Sequence, residues 1–182
     1  MKMIIAVTFL GIVTIAFAEE CRLMQPAANF DAATYFSIPH VYVTHSKNEP
    51  KTDVCREYDT SKTDGGSTTV ITSNYKIKGQ AVNNKVTCTS TGLKNGQTGQ
   101  FSVVCQPPTG AAVTLTTSVL ATDNQNYAIL QRCPTSGQGN ILVLQTAKEG
   151  VNPGVKDFFQ KKGWNIDSWF SRTNVNCENI QS

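Results

Sequence analysis

The stretch Asp64-Gly65-Gly66-Ser67-Thr68-Thr69-Val70-Ile71-Thr72-Ser73-Asn74-Tyr75 decides the fold. A glycine turn opens a β-branched run, and that pairing of turn and strand recurs along the chain. Before the turn lies a second run at 52–59, and before that a third at 38–46, closed by Asn48-Glu49-Pro50. After it come runs at 81–90 and 100–105, joined through Lys94-Asn95-Gly96. Pro107-Pro108-Thr109-Gly110 precedes 112–121, and Ser136-Gly137-Gln138-Gly139 separates 127–133 from 140–146. Eight short runs with tight links predict an all-β fold, an eight-stranded up-and-down antiparallel barrel, because consecutive hairpins close most simply on themselves.

The pattern changes at Asn152-Pro153. Val155, Phe158 and Phe159 recur at helical spacing, Pro153 suits a first turn and Gly163 a stop, so a helix is expected over 153–162. Its apolar stripe, with the aromatic stretch 164–170 behind it, is expected to cover the outside of the barrel. At the other end, Lys2, an apolar run to Phe17 and the small residues Ala16 and Ala18 predict a signal peptide over 1–18. Residues 19–182 then form one domain, secreted, and the 6 cysteines of an oxidising compartment read as disulfides. With 16 Lys and Arg against 13 Asp and Glu and no basic stripe, no nucleic-acid partner is expected. No membrane span follows the leader, and a monomer is expected. No nucleophile elbow, phosphate loop or metal-spaced cluster occurs, so neither catalysis, a cofactor nor a metal is expected.

Some residues carry more than a generic barrel. Thr122-Asp123-Asn124-Gln125-Asn126-Tyr127 resembles the T-D-x-x-x-Y signature of lipocalins, at the turn before the seventh strand. Where lipocalins show G-x-W-Y on the first strand, this chain has Pro39-His40-Val41-Tyr42, keeping the Tyr and losing the Trp. The run from Phe36 to Ser46, Val54-Cys55-Arg56-Glu57-Tyr58 and Asp167-Ser168-Trp169-Phe170-Ser171-Arg172 resemble the triabin and pallidipin group of salivary lipocalins from blood-feeding triatomine bugs. That resemblance implies secretion in saliva and three disulfides, Cys21–Cys133, Cys55–Cys177 and Cys88–Cys105, out of the 15 pairings that six cysteines allow.

Strand alternation sorts the wall. If Cys55 and Cys133 reach outward, then Val54, Arg56 and Tyr58 face the lumen, as do Ala128, Leu130 and Arg132. Val41 takes the place of the family's buried Trp, and Val43 and His45 share its face; His40 and Glu57 point outward. Two guanidiniums, a phenol and an imidazole in an apolar lumen suit an amphipathic ligand with a carboxylate head. The competing role of Arg56 and Arg132 is pairing with Glu57, Asp123 or the helix end. The resemblance implies a thromboxane A2-like eicosanoid, sequestered so that platelets and vessels do not receive it. A haem would need a deep His and an amine an inward acid, and neither is evident. The alternative is a protein-binding inhibitor whose outer surface engages a host haemostatic protein.

Overall fold

The computed structural model describes residues 20–49, 53–64, 66–91 and 99–181. The expected leader, Pro50, Gly65 and the Lys94-Asn95-Gly96 turn lie outside those residues. A short helix, α1 (Ala32–Tyr35), precedes β1 (His40–Ser46), β2 (Val54–Thr63), β3 (Gly66–Ile77) and β4 (Gln80–Thr91). There follow β5 (Gln100–Gln106), β6 (Val113–Thr122), β7 (Tyr127–Pro134), β8 (Asn140–Gln145), the helix α2 (Pro153–Lys162), β9 (Phe170–Ser171) and a last short helix, α3 (Cys177–Gln181). All eight expected strands form, as antiparallel neighbours in chain order.

β1 closes the sheet. Its upper edge pairs with β8, and its first half pairs with β2 through His40–Asp59, Val41–Tyr58 and Tyr42–Glu57. Beyond Tyr42 the two-residue β9 replaces β2, pairing Ser171 with His45 and Phe170 with Ser46. Sequence patterning had no way to show β9, since two residues carry no period. Hairpin chemistry is local: Lys78 and Gly79, at φ 51° and 82°, form the two-residue turn between β3 and β4, the left-handed pair that matches strand twist.

Two apolar clusters result, one on each face of the wall. The inner one contains Val43, Tyr58, Ile71, Val119, Ala128, Leu130, Leu142 and Leu144. The outer one sets Val155, Phe159 and Trp169 against Leu120, Ile129, Ile141 and Val143. α2 forms as expected: Asn152 accepts the Gly154 amide at 2.8 Å, Pro153 fills the first turn, and Gly163 ends it at φ 64°. Phe159 stacks edge-on against Trp169 with centroids 4.7 Å apart, so the aromatic tail covers the wall.

The three disulfides are Cys21–Cys133, Cys55–Cys177 and Cys88–Cys105, the pairing the resemblance implied. Two fasten the ends of the domain to β7 and β2. Gly139 lies so close to the first of these that a Cβ there would overlap Cys21 Sγ and sit 2.8 Å from the Arg132 carbonyl. The third links β4 and β5 on the lumen face, since both cysteines belong to the inner cluster.

Phe159→Ala removes a fully buried ring from the contact between helix and wall. Chemical denaturation should register a loss of about 3–5 kcal/mol. A loss below about 1 kcal/mol would mean that α2 does not contribute to barrel stability.

Candidate ligand-binding site

The lumen is nearly full. It retains a cavity of about 70 Å³ lined by Val41, Tyr58, Ile71, Phe101, Ala128, Leu130, Arg132 and Leu144, with Tyr35, Phe36 and Ile38 across one end. Ordinary ligand pockets run to roughly 300–1,000 Å³. What fills the space is the segment before β1. Phe36 and Phe30 pack with Phe101, centroids 5.1 and 6.4 Å away, and Tyr35 packs on Phe30 and Phe36 at 5.2 and 5.0 Å. This aromatic plug is held by the turn after β6. Asn29 Nδ2 donates to the Thr122 carbonyl, Asn124 Nδ2 donates to the Asn29 carbonyl, and Asn124 Oδ1 accepts the Asp31 amide, at 2.8, 2.8 and 3.0 Å.

The turn has its own logic. Asp123 Oδ1 accepts three backbone amides, from Gln125, Asn126 and Tyr127, at 2.7–3.1 Å. Burial pulls that carboxyl upward, but the amide bonds outweigh it and hold it below the ordinary carboxylate value. Thr122 Oγ1 donates to the Tyr127 carbonyl and accepts the Asn124 amide, so Asn124 is locked at φ 61°. The T-D-x-x-x-Y stretch is thus the clasp of the plug.

Among the polar residues of the lumen, Arg132 is the centre. Its Nη1 donates to the Tyr58 hydroxyl at 2.8 Å, its Nη2 points to Cys105 Sγ at 3.6 Å, and its Cζ stands 6.0 Å from the Tyr58 ring centroid. Among the described residues it has no carboxylate partner. Burial pushes the Tyr35 phenol well above its ordinary value; Tyr58 adds to the rise and Arg132 opposes it. Sequence reading missed Tyr35 and Phe36, though three aromatics within seven residues, Phe30 to Phe36, were a visible signal.

Val41, Tyr58, Ala128, Leu130 and Arg132 line the cavity as alternation predicts. Val43 belongs to the inner cluster without bordering the open space, and Val54 is buried on the Tyr58 face, also away from it. Two residues need correction. Arg56 faces inward but is already occupied: Nη1 and Nη2 donate to Glu49 Oε2 and Oε1 at 3.0 and 3.1 Å, and Nε donates to Ser73 Oγ at 3.2 Å. Glu49, whose side chain is 2 % exposed, is the inward acid that the alternation of strands could not reveal, because it comes from a loop.

His45 does not share the lumen with Val43. A β-bulge between them makes Val43 oppose Leu144 but His45 oppose Val143, on the outer face. Thr44 is the extra residue, donating to the Val143 carbonyl at 3.3 Å. His45 is buried rather than solvent-exposed there, with a ring nitrogen 3.2 Å from Thr44 Oγ1. His40 stands outside as expected, 2.7 Å from Asp59. Both histidines thus lie outside the lumen, and among the described residues no cluster of three or more His, Cys, Asp or Glu could hold a metal.

A family model described as Triabin matches residues 16–158. The chain belongs to the Triabin family. Among its Triabin relatives, platelet inhibitor triplatin-2 of Triatoma infestans is 54% identical across 97% of this chain and 100% of its own length. Pallidipin of Meccus pallidipennis is 52% identical across 100% of both. Among solved structures, the tryptamine complex of the amine-binding protein of Rhodnius prolixus superposes with a TM-score of 0.71 at 17% identity, over 89% of this chain and 93% of that one. A leukotriene C4 complex of a point mutant of LTBP1 gives 0.60 at 23% identity, over 81% and 89%. These two likenesses establish the lipocalin barrel of this Triabin member and nothing about its ligand.

His45 also makes the Triabin chain acid-sensitive. Burial lowers its pKa below 6.5, with Asp167 pulling the other way. The unfolded chain therefore takes up a proton first as pH falls below about 6.5, and stability is lost from there toward the lower folded value. Melting temperatures of the native protein should drop from pH 7.5 to pH 5, and His45→Gln should remove part of the drop. Parallel pH profiles for the two proteins would refute this.

Proposed function

We propose that this protein is a secreted salivary lipocalin that blocks host platelet aggregation and vasoconstriction by sequestering a thromboxane A2-like eicosanoid in its barrel. The observation that carries this reading is Arg132: a guanidinium in the lumen with a phenol at 2.8 Å and no carboxylate partner of its own among the described residues. Such a cation gains most from a ligand carboxylate, which can take two parallel N–H bonds where water is excluded. The apolar wall of Val41, Ile71, Leu130 and Leu144 suits a hydrocarbon body. Likeness to a protein named a platelet inhibitor supports the physiological half.

The mechanism is stoichiometric capture without turnover. With about 70 Å³ open, a twenty-carbon acid is admitted only when the plug around Phe30, Tyr35 and Phe36 gives way. Its rings then exchange contacts with one another for contacts with the ligand chain, so part of the apolar gain offsets their displacement.

Isothermal titration of the mature protein with a stable thromboxane A2 mimic should give one-to-one binding below micromolar Kd. Arg132→Ala, shown to be folded, should weaken it by roughly 10–100-fold. Absence of heat from folded, lipid-free protein would reject the lumen reading and turn attention to the outer surface.

A further inference from the structure

We infer that Glu49 is an internal counter-anion that restricts the lumen to ligands with a single negative charge. The inference rests on the lumen binding a carboxylate lipid. Arg56 stands two residues from Tyr58 on β2, on the same face, because Arg56 opposes Ser73 as Tyr58 opposes Ile71. Two residues along a strand is about 7 Å. Arg56 is therefore one layer toward the β1–β2 loop from the Tyr58–Arg132 pair. Along β2 it is the next inward cation from that pair, the group that a second anionic centre on a head group would approach.

Glu49 prevents that. Its carboxylate takes both terminal nitrogens of Arg56 in a paired geometry at 3.0 and 3.1 Å, while Ser73 Oγ accepts from Nε. With the Glu49 side chain 2 % exposed and that of Arg56 20 %, water screens the attraction between them little. The chain thus supplies from its own loop what a second ligand anion would supply. A dianionic head placing one charge on Arg132 brings its other charge toward a site already neutral and fronted by a carboxylate. Specificity then comes from the repulsive element as much as from Arg132. Glu49 touches no part of a monoanionic ligand; its role is selection by charge.

The test compares hexadecanoic acid with 2-tetradecylsuccinic acid by titration calorimetry at pH 8.5, where the second is a dianion. The native protein should favour the monoacid by at least about tenfold. Glu49→Gln frees Arg56 and should bring that preference to about one or reverse it. Arg56→Gln leaves Glu49 unpaired and should shift the preference the other way, further toward the monoacid. Opposite shifts are the signature of charge selection, since a merely structural pair would weaken both ligands alike in either variant. An unchanged ratio in whichever variants fold, with the monoacid still bound, overturns the role of Glu49 alone. Failure of the native protein to bind either acid overturns the lumen reading and this inference with it.

Discussion

The hydrogen bonds that β1 makes along both of its edges are what the rest of the structure depends on. They join β8 to β2 and turn an open sheet into a barrel, so every strand has one face committed to a space only a side chain deep. Once closed, the wall dictates chemistry: an inward polar residue must find a partner inside or remain charged without one. The closure is economical, three residue pairs to β2, with β9 taking over where β2 diverges. On the part of β2 beyond that pairing, Arg56 is met by Glu49 from the loop between the two strands.

Two inward arginines consequently have different fates. Arg56 is matched by a carboxylate from the chain itself, whereas Arg132 is left with a phenol and a sulfur. A guanidinium held by a carboxylate and a half-buried one without are not equivalent. The first is a closed structural unit; the second keeps its field available to whatever enters. Among the described residues, Arg132 is thus an inward cation without a carboxylate. It lies beside a wall that is mostly apolar, with Thr60, Thr69 and Thr117 also lining it.

Much of this was legible in the residues. β-branched runs and glycine turns set the eight strands, and Asn152, Pro153 and Gly163 bounded the helix to the residue, because local chemistry decides turns and caps. Alternation placed Tyr58, Leu130 and Arg132 correctly, since the period of two holds wherever strands run unbroken. It failed at His45, where the single inserted residue Thr44 inverted every side chain beyond it, and an insertion of that kind has no mark in composition. It also failed at Glu49 and at the plug: both come from segments without a period, whose positions are set by partners more than sixty residues away, or by a salt bridge, rather than by neighbours. Site chemistry was readable where strands supply it and hidden where loops do.

The bridge between Cys88 and Cys105 gives the barrel a stiff side. It spans directly opposed residues on the lumen wall, touching the same space as Arg132. β4 and β5 therefore cannot splay apart there to make room. The plug lies across one end of the cavity, held mainly by amide side chains rather than covalent bonds. A guest of the kind proposed here would therefore meet a covalently fixed jaw on the β4–β5 side and, across the end of the cavity, a jaw of residues 29–38 with no such tie.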